Sequence, residues 1–318
     1  MGQKYSVKGY LNATLRRSNK TLLVEGITDK QILHRLALER HPTTVENITI
    51  DYADMLDDPA ISGLGKKQVI AQVQLAAHGI KEKIPKIEDV LATLIDREWD
   101  DIEFRSPLLR MKWQQPAQGL NRFVTLGHSI ENYHFNVDCA IDYLKYAFPE
   151  PISNSSKVLS ALRERFPAII VFAIILSLVM REDECLVKSD ALIDTSHLAY
   201  KNNRYYLAQP FAEACANRRI INAETVANRV NDAIDAAWDA LCLEPTIHWL
   251  PHGHLGNDVI WACVGHMAAE FGVSPQIAHE IAHGRKKDRN QFFADWLSKL
   301  PRESKAPLDS ALDWLYSV

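Results

Sequence analysis

The chain has 318 residues, 47% of them hydrophobic and 24% charged, with 36 Lys+Arg against 40 Asp+Glu. That is enough apolar side chain for one large or two modest cores, and it excludes collagen-like, low-complexity and wholly disordered classes. The formal charge of -4 excludes a general basic coat for indiscriminate nucleic-acid binding but leaves room for a local basic groove.

In chain order, Thr21-Leu22-Leu23-Val24 is a short apolar run ending at Glu25-Gly26, and Ile32, Leu33, Leu36 and Leu38 then fall at helical spacing to about Arg40. Val45 to Ile50 alternates like a strand, Lys67 to His78 reads as a helix, and Val90 to Ile95 is a second apolar run that ends in the acidic cluster Asp96 to Asp101. Phe123 to Leu126 is a third such run, closed by Gly127. Strands alternating with helices imply a mostly parallel sheet covered on both faces. Chemistry in such sheets collects beyond the carboxyl ends of the strands.

The Pro- and Ser-rich segment Pro149 to Ser156 is the expected boundary between an α/β part, 1–150, and an all-helical part, 151–318. In the latter, Ala212 to Ala216, Ala223 to Leu243, Asn257 to Phe271 and Gln291 to Leu300 carry helical periodicity. The longest uncharged apolar run, Ala168 to Met180, would reach about 20 Å as a helix, short of a hydrocarbon core of about 30 Å. It is expected to be a buried helix, with no membrane partner. The N-terminal residues lack the apolar stretch of a secretory signal. Cys139, Cys185, Cys215, Cys242 and Cys263 are odd in number and far apart, which argues against a disulfide framework and for a reducing cytoplasm.

Acids sit at all three strand-like ends: Glu25, Asp96 with Glu98, and Glu131 shortly after Leu126, with Asp29 one helical turn beyond Glu25. Parallel strands share one rim, and carboxylates gathered there stay ionised when a cation offsets their repulsion. Mg²⁺ suits such oxygen ligands, and a carboxylate rim holding it is a site for phosphodiester chemistry. Asp29 and the Asp96 to Asp101 cluster also have plainer readings. Thr28-Asp29-Lys30-Gln31 fits a helix capping box, and Asp96 to Asp101 alone fits a solvated turn.

Leu22-Leu23-Val24-Glu25-Gly26-Ile27-Thr28-Asp29-Lys30 resembles the first motif of TOPRIM domains, and Leu94-Ile95-Asp96-Arg97-Glu98-Trp99-Asp100 resembles their second, a strand ending in Asp-x-Asp. His128-Ser129-Ile130-Glu131-Asn132-Tyr133 is similar to the Ile-Glu-Asn-Tyr segment of stand-alone OLD-like TOPRIM proteins in bacterial anti-phage systems. Size and motif order look most like the TOPRIM effectors of PARIS abortive-infection systems. The resemblance covers roughly residues 20–140. It implies a Rossmann-like TOPRIM nuclease domain over 1–150 and, over 151–318, a helical domain for partner binding, dimerisation or substrate contact. It also implies Glu25, Asp96 and Glu131 as catalytic carboxylates, and Mg²⁺ (or Mn²⁺) held by Glu25, Asp29, Asp96, Glu98 and Glu131. Position 98 departs from the family in being Glu instead of Asp. The implied activity is endoribonuclease toxicity toward host tRNA, exerted as a homodimer after release from an ABC/SMC-like ATPase sensor subunit. DNA cleavage by an OLD-like system and a non-catalytic ATPase-binding module are the alternatives.

Two features compete with that reading. His279-Glu280-Ile281-Ala282-His283 is a literal HExxH, the zinc-protease helix motif, with Glu303 in range as a third ligand, although Gly284 is expected to end the helix. His252, His254 and His266 make the same half His-rich. Gly63-Leu64-Gly65-Lys66 lacks the spacing of a P-loop. Basic residues cluster at Lys4, Lys8, Arg16, Arg17 and Lys20 and again at Arg285, Lys286, Lys287 and Arg289. These clusters are solvated faces or, with Lys30, phosphate contacts. Trp113, Tyr205 and Tyr206 are candidate stacking platforms for unpaired bases.

Overall fold

The computed structural model describes residues 4–43, 45–100, 113–155, 157–189, 191–220, 222–241, 246–284 and 286–317. Its elements in chain order are α1 (Val7–Arg16), β1 (Thr21–Val24), α2 (Ile27–Arg40), β2 (Thr49–Tyr52), α3 (Lys66–Ile80), α4 (Lys86–Val90), β3 (Leu91–Ile95) and β4 (Arg122–Val124). There follow α5 (Val137–Ala147), α6 (Pro149–Asn154), α7 (Lys157–Glu182), β5 (Leu198–Lys201), β6 (Arg204–Leu207), α8 (Pro210–Asn217) and α9 (Ala223–Leu241). The series closes with α10 (Gly253–Glu270), α11 (Pro275–His283), α12 (Lys286–Ser298) and α13 (Leu308–Tyr316). Cys242 and Arg285 lie outside the described residues, as do the side chains of Lys286 and Lys287.

The expected parallel sheet is present, with four strands in the order β2-β1-β3-β4 and every pair parallel. All of β1 and all of β3 are buried. This is why both read as unbroken apolar runs: a strand covered on both faces has no polar side. The second strand begins later than its alternation predicts, at Thr49, because Val45–Asn47 forms a 3₁₀ turn.

The chain divides into two compact units that differ from the expected 1–150 and 151–318. The sheet unit comprises Met1–Arg97, Gln115–Leu126 and Ala294–Val318; the helical unit comprises Glu98–Gln114 and Gly127–Phe293. Pro149 to Ser156 is therefore interior to the helical unit, where Pro149–Asn154 forms α6.

In the sheet unit, Leu23, Leu91, Ile95 and Val124 of the strands share a core with Tyr10 and Leu11 of α1 and with Val69, Ile70 and Val73 of α3. The return of residues 294 onward is electrostatic as well as apolar. Arg40 on α2 pairs with Asp309 (3.3 Å) and with Asp313 on α13, Lys20 donates to Ser317 Oγ (2.6 Å), and Lys305, 4% exposed, donates to the Ser298 carbonyl (3.1 Å). Among the N-terminal basic residues, Arg17 is engaged internally with Asp51 (2.6 Å) and Thr21 (3.0 Å).

The helical unit is built around α7, whose Ala168 to Met180 stretch is buried throughout, as its composition predicts. Among the described residues no helix is long and apolar enough to cross a membrane. The unit is not purely helical. β5 and β6 form an antiparallel hairpin whose turn residues, Asn202 and Asn203, both have positive φ (51° and 60°). That pair of left-handed residues is what a tight hairpin turn requires, and Asn tolerates it better than most side chains. Tyr205 and Tyr206 on β6 are buried, so neither is a platform for a base.

Candidate functional site

In the sheet unit, β1 and β3 are central neighbours. The chain leaves β1 toward β2 on one side and leaves β3 toward β4 on the other. Such a reversal opens a crevice beyond the carboxyl ends of the two strands, where α/β sheets bind their ligands. Glu25 follows the last residue of β1 and Asp96 the last residue of β3, so the two acids flank that crevice. They are directly linked: the Asp96 backbone N–H donates to Glu25 Oε1 at 2.9 Å. Both are half-buried.

Neighbouring groups stiffen this rim and add positive charge. Arg97 is 1% exposed. Its backbone N–H donates to Thr125 Oγ1 (2.9 Å) and its guanidinium to the Leu126 carbonyl (3.4 Å), tying the end of β3 to the segment after β4. The first turn of α3 brings two lysines. Lys67 Nζ donates to the Arg97 carbonyl (3.0 Å). Lys66 Nζ pairs with Asp54 (3.2 Å) and lies 3.8 Å from where a side chain on residue 26 would begin. In the sequence this pair shows only as Gly65-Lys66-Lys67; the glycine-lysine step is no P-loop, but it places a lysine beside the residue that follows each of the two acids. Asp29, 9% exposed, accepts the Gly26 N–H at 2.7 Å, so the box that opens α2 has Gly26 at the cap and Asp29 three on, two residues earlier than the Thr28–Gln31 box expected from the sequence. Lys30 stands over the ring of Tyr52 at 5.8 Å.

Glu98 and Glu131 belong to the helical unit. Glu98 is exposed, has positive φ (55°), and donates its N–H to the His128 carbonyl at 2.7 Å. Its neighbour Trp99 is buried; the indole donates to the Leu250 carbonyl (3.0 Å) and meets His128 edge-on at 4.5 Å. Glu131 lies in the 3₁₀ turn Ile130–His134 against the first residue of α10. A Cβ on Gly253 would be 2.8 Å from Glu131 Oε2 and 2.0 Å from Ser129 Oγ, so only glycine admits the carboxylate there. A helix N-terminus favours an anion. Burial pushes the Glu131 carboxyl upward, but His254 (3.3 Å), the Ser129 hydroxyl, the backbone and His134 outweigh it and hold the group below the usual carboxylate range. Burial lowers His134 and His252 to about 4, so both are neutral imidazoles at neutral pH.

The remainder of the Ile-Glu-Asn-Tyr segment is structural. Asn132 Nδ2 donates to the carbonyls of His248 (2.9 Å) and Pro251 (3.0 Å), and its Oδ1 accepts the Ser129 N–H (2.9 Å). Tyr133 meets Trp249 edge-on at 4.9 Å. Sequence reasoning picked out His252 and His254 as a His-rich stretch but not as neighbours of Glu131, since a separation of over a hundred residues leaves no local pattern. Of the second basic cluster, Arg285 is outside the described residues. Arg289 is 1% exposed and donates to the carbonyls of Ile281 (3.1 Å) and Gly284 (2.8 Å), closing the end of α11 instead of facing a phosphate.

Fold and rim together define an α/β protein with paired carboxylates at the switch point of a parallel sheet. The chain matches no protein-family profile, and no curated protein matches it.

Proposed function

We propose that the chain is a Mg²⁺-dependent nuclease of the TOPRIM kind, acting on RNA and most specifically on tRNA, and controlled by an ATPase partner as in the PARIS effectors it resembles. The observation that carries the reading is the Glu25–Asp96 pair at the strand-order reversal. Its donor set is oxygen-only, which fits Mg²⁺ or Mn²⁺ and is a poor match for softer metals. When bound, Mg²⁺ polarises the scissile phosphate and favours deprotonation of the attacking water. The chain's own residues supply the rest. The Asp96 N–H fixes the Glu25 carboxylate in one orientation, Arg97 holds the two strand ends rigid, and Lys66 and Lys67 offer cations to phosphate oxygens as point charges. In this reading Asp29 acts on the metal indirectly by fixing the start of α2.

The test is incubation of the purified full-length protein with total tRNA and, in parallel, with duplex DNA, in MgCl₂ or in EDTA. The expected result is new RNA ends that require Mg²⁺ and vanish in Glu25→Ala. Cleavage of DNA alone would move the substrate to the other polymer, and RNA cleavage by Glu25→Ala at the wild-type rate would overturn the site.

A further inference from the structure

The HExxH helix is not absorbed by the nuclease reading, and its surroundings differ from what its sequence predicts. Glu303, expected as a third ligand, belongs to the sheet unit, in the 3₁₀ turn Arg302–Lys305. Within the helical unit the position is taken by Asp194, a residue that no sequence motif marks. His279 and His283 are one turn apart on α11, their rings 4.9 Å from centre to centre. Asp194 Oδ2 lies 2.9 Å from His283 Nε2 and 3.8 Å from His279 Nδ1. One ligand atom from each of the three side chains falls within 4.8 Å of the other two. Ligands on a tetrahedral zinc with bonds of about 2.0–2.1 Å stand about 3.3 Å apart, so closing this triangle around an ion needs only side-chain adjustments.

The carboxylate is oriented for the purpose by contacts that do not involve the histidines. Asp194 Oδ1 is engaged by the Ser196 N–H (3.0 Å), the Ser196 hydroxyl (3.1 Å) and the Thr195 hydroxyl (3.1 Å), which leaves Oδ2 as the oxygen that faces both imidazoles. The backbone brings the two segments together through Gly265 on α10. A Cβ there would stand 2.5 Å from the Ala278 carbonyl, 3.0 Å from Thr195 Cγ2 and 3.1 Å from Ala282 Cβ. Glycine at 265 therefore sets the approach of α11 to the turn that carries Asp194. Arg289, by engaging the Ile281 and Gly284 carbonyls, fixes the last turn of α11 and with it His283. The His279 side chain is 65% exposed, so the outer side of the triangle is open to solvent.

We propose that Asp194, His279 and His283 form a binding site for one divalent transition-metal ion, zinc by donor type, with a water in the fourth position. Two imidazoles and one carboxylate select against Mg²⁺ and Ca²⁺, which take all-oxygen shells. The site clasps the turn before β5 to α11 and is independent of the nuclease reading.

The experiment uses full-length protein stripped with EDTA, dialysed and titrated with ZnCl₂ by calorimetry, with the melting temperature followed in parallel. The expected result is one Zn²⁺ per chain and, at about a hundred times Kd, a rise in Tm of roughly 4–7 °C. His279→Gln, on an exposed side chain, should melt like the wild type without metal and lose the zinc-dependent shift. Asp194→Asn should weaken binding at least tenfold, while Glu280→Gln and Glu25→Ala should bind zinc as the wild type does. Absence of stoichiometric binding would reduce the cluster to an Asp194–His283 ion pair and overturn the proposal. Unchanged binding by His279→Gln, or loss of binding in Glu280→Gln or Glu25→Ala, would overturn the assigned ligands.

Discussion

The two units hold their carboxylates in opposite chemical company. In the sheet unit, Glu25 and Asp96 are joined through a backbone N–H, with lysines nearby. In the helical unit, Glu131 and Asp194 each face imidazoles, His254 and His134 in one case and His283 and His279 in the other. An oxygen-only rim prefers hard cations. A carboxylate among histidines prefers transition metals. The same residue type thus acquires different chemistry from its neighbours, and a count of acids along the chain does not distinguish the two settings.

The largest expected effect falls on the rim. Glu25→Gln keeps the shape and the acceptor for Asp96 but removes the charge, and Mg²⁺-dependent cleavage should fall by about 10³-fold, about 4 kcal/mol of barrier. Initial rates at saturating Mg²⁺ measure this, and a loss under tenfold would mean that the two carboxylate settings do not differ in function. The next effect belongs to the helical unit. Unfolded imidazoles take protons below about 6.5, whereas His134 and His252 in the fold do so only near 4. Between these values the unfolded chain binds more protons, so stability falls as pH drops through that window, by at most about 3 kcal/mol per group. The lowered carboxyl of Glu131 adds a loss only further down, as pH falls through the ordinary carboxylate range and below. Urea midpoints from pH 7 to 4.5 should decline, and His134→Phe, stacking on Phe293 as the imidazole does at 4.1 Å, should flatten the decline. A midpoint independent of pH would remove the contrast.

Smaller effects sharpen it. A Cβ on Gly127 would stand 2.5 Å from Asn132 Cβ and 2.9 Å from Trp249, so Gly127→Ala should destabilise the helical unit by about 2 kcal/mol. The change should appear as a lower urea midpoint at every pH. Asp29→Ala removes a cap worth about 1 kcal/mol. It should lower Tm by a few degrees and reduce cleavage far less than Glu25→Gln; equal losses would make Asp29 a direct metal ligand instead of a cap.

The sheet centre was legible in the sequence because burial on both faces leaves an unbroken apolar run. Thr21–Val24 and Leu91–Ile95 are such runs, and an acid follows each directly. The hairpin Leu198–Leu207 was legible in principle through Lys201-Asn202-Asn203-Arg204 but was masked by the helical periodicity on either side. What no local pattern carries is long-range pairing. His283 meets Asp194 across 89 positions and Arg40 meets Asp309 across 269. The ligand triangle and the true extent of the sheet unit follow from such pairs, so neither was visible before the fold.

That last pair has a consequence for how the protein is made. Residues 294–317 complete the sheet unit, yet the ribosome adds them only after the whole helical unit. At ~5–20 residues per second the nascent sheet waits roughly ten to thirty seconds for α13. During that interval Arg40 has neither Asp309 nor Asp313 to meet. Translation order therefore delays the finished carboxylate-bearing unit until the histidine-bearing one has been synthesised.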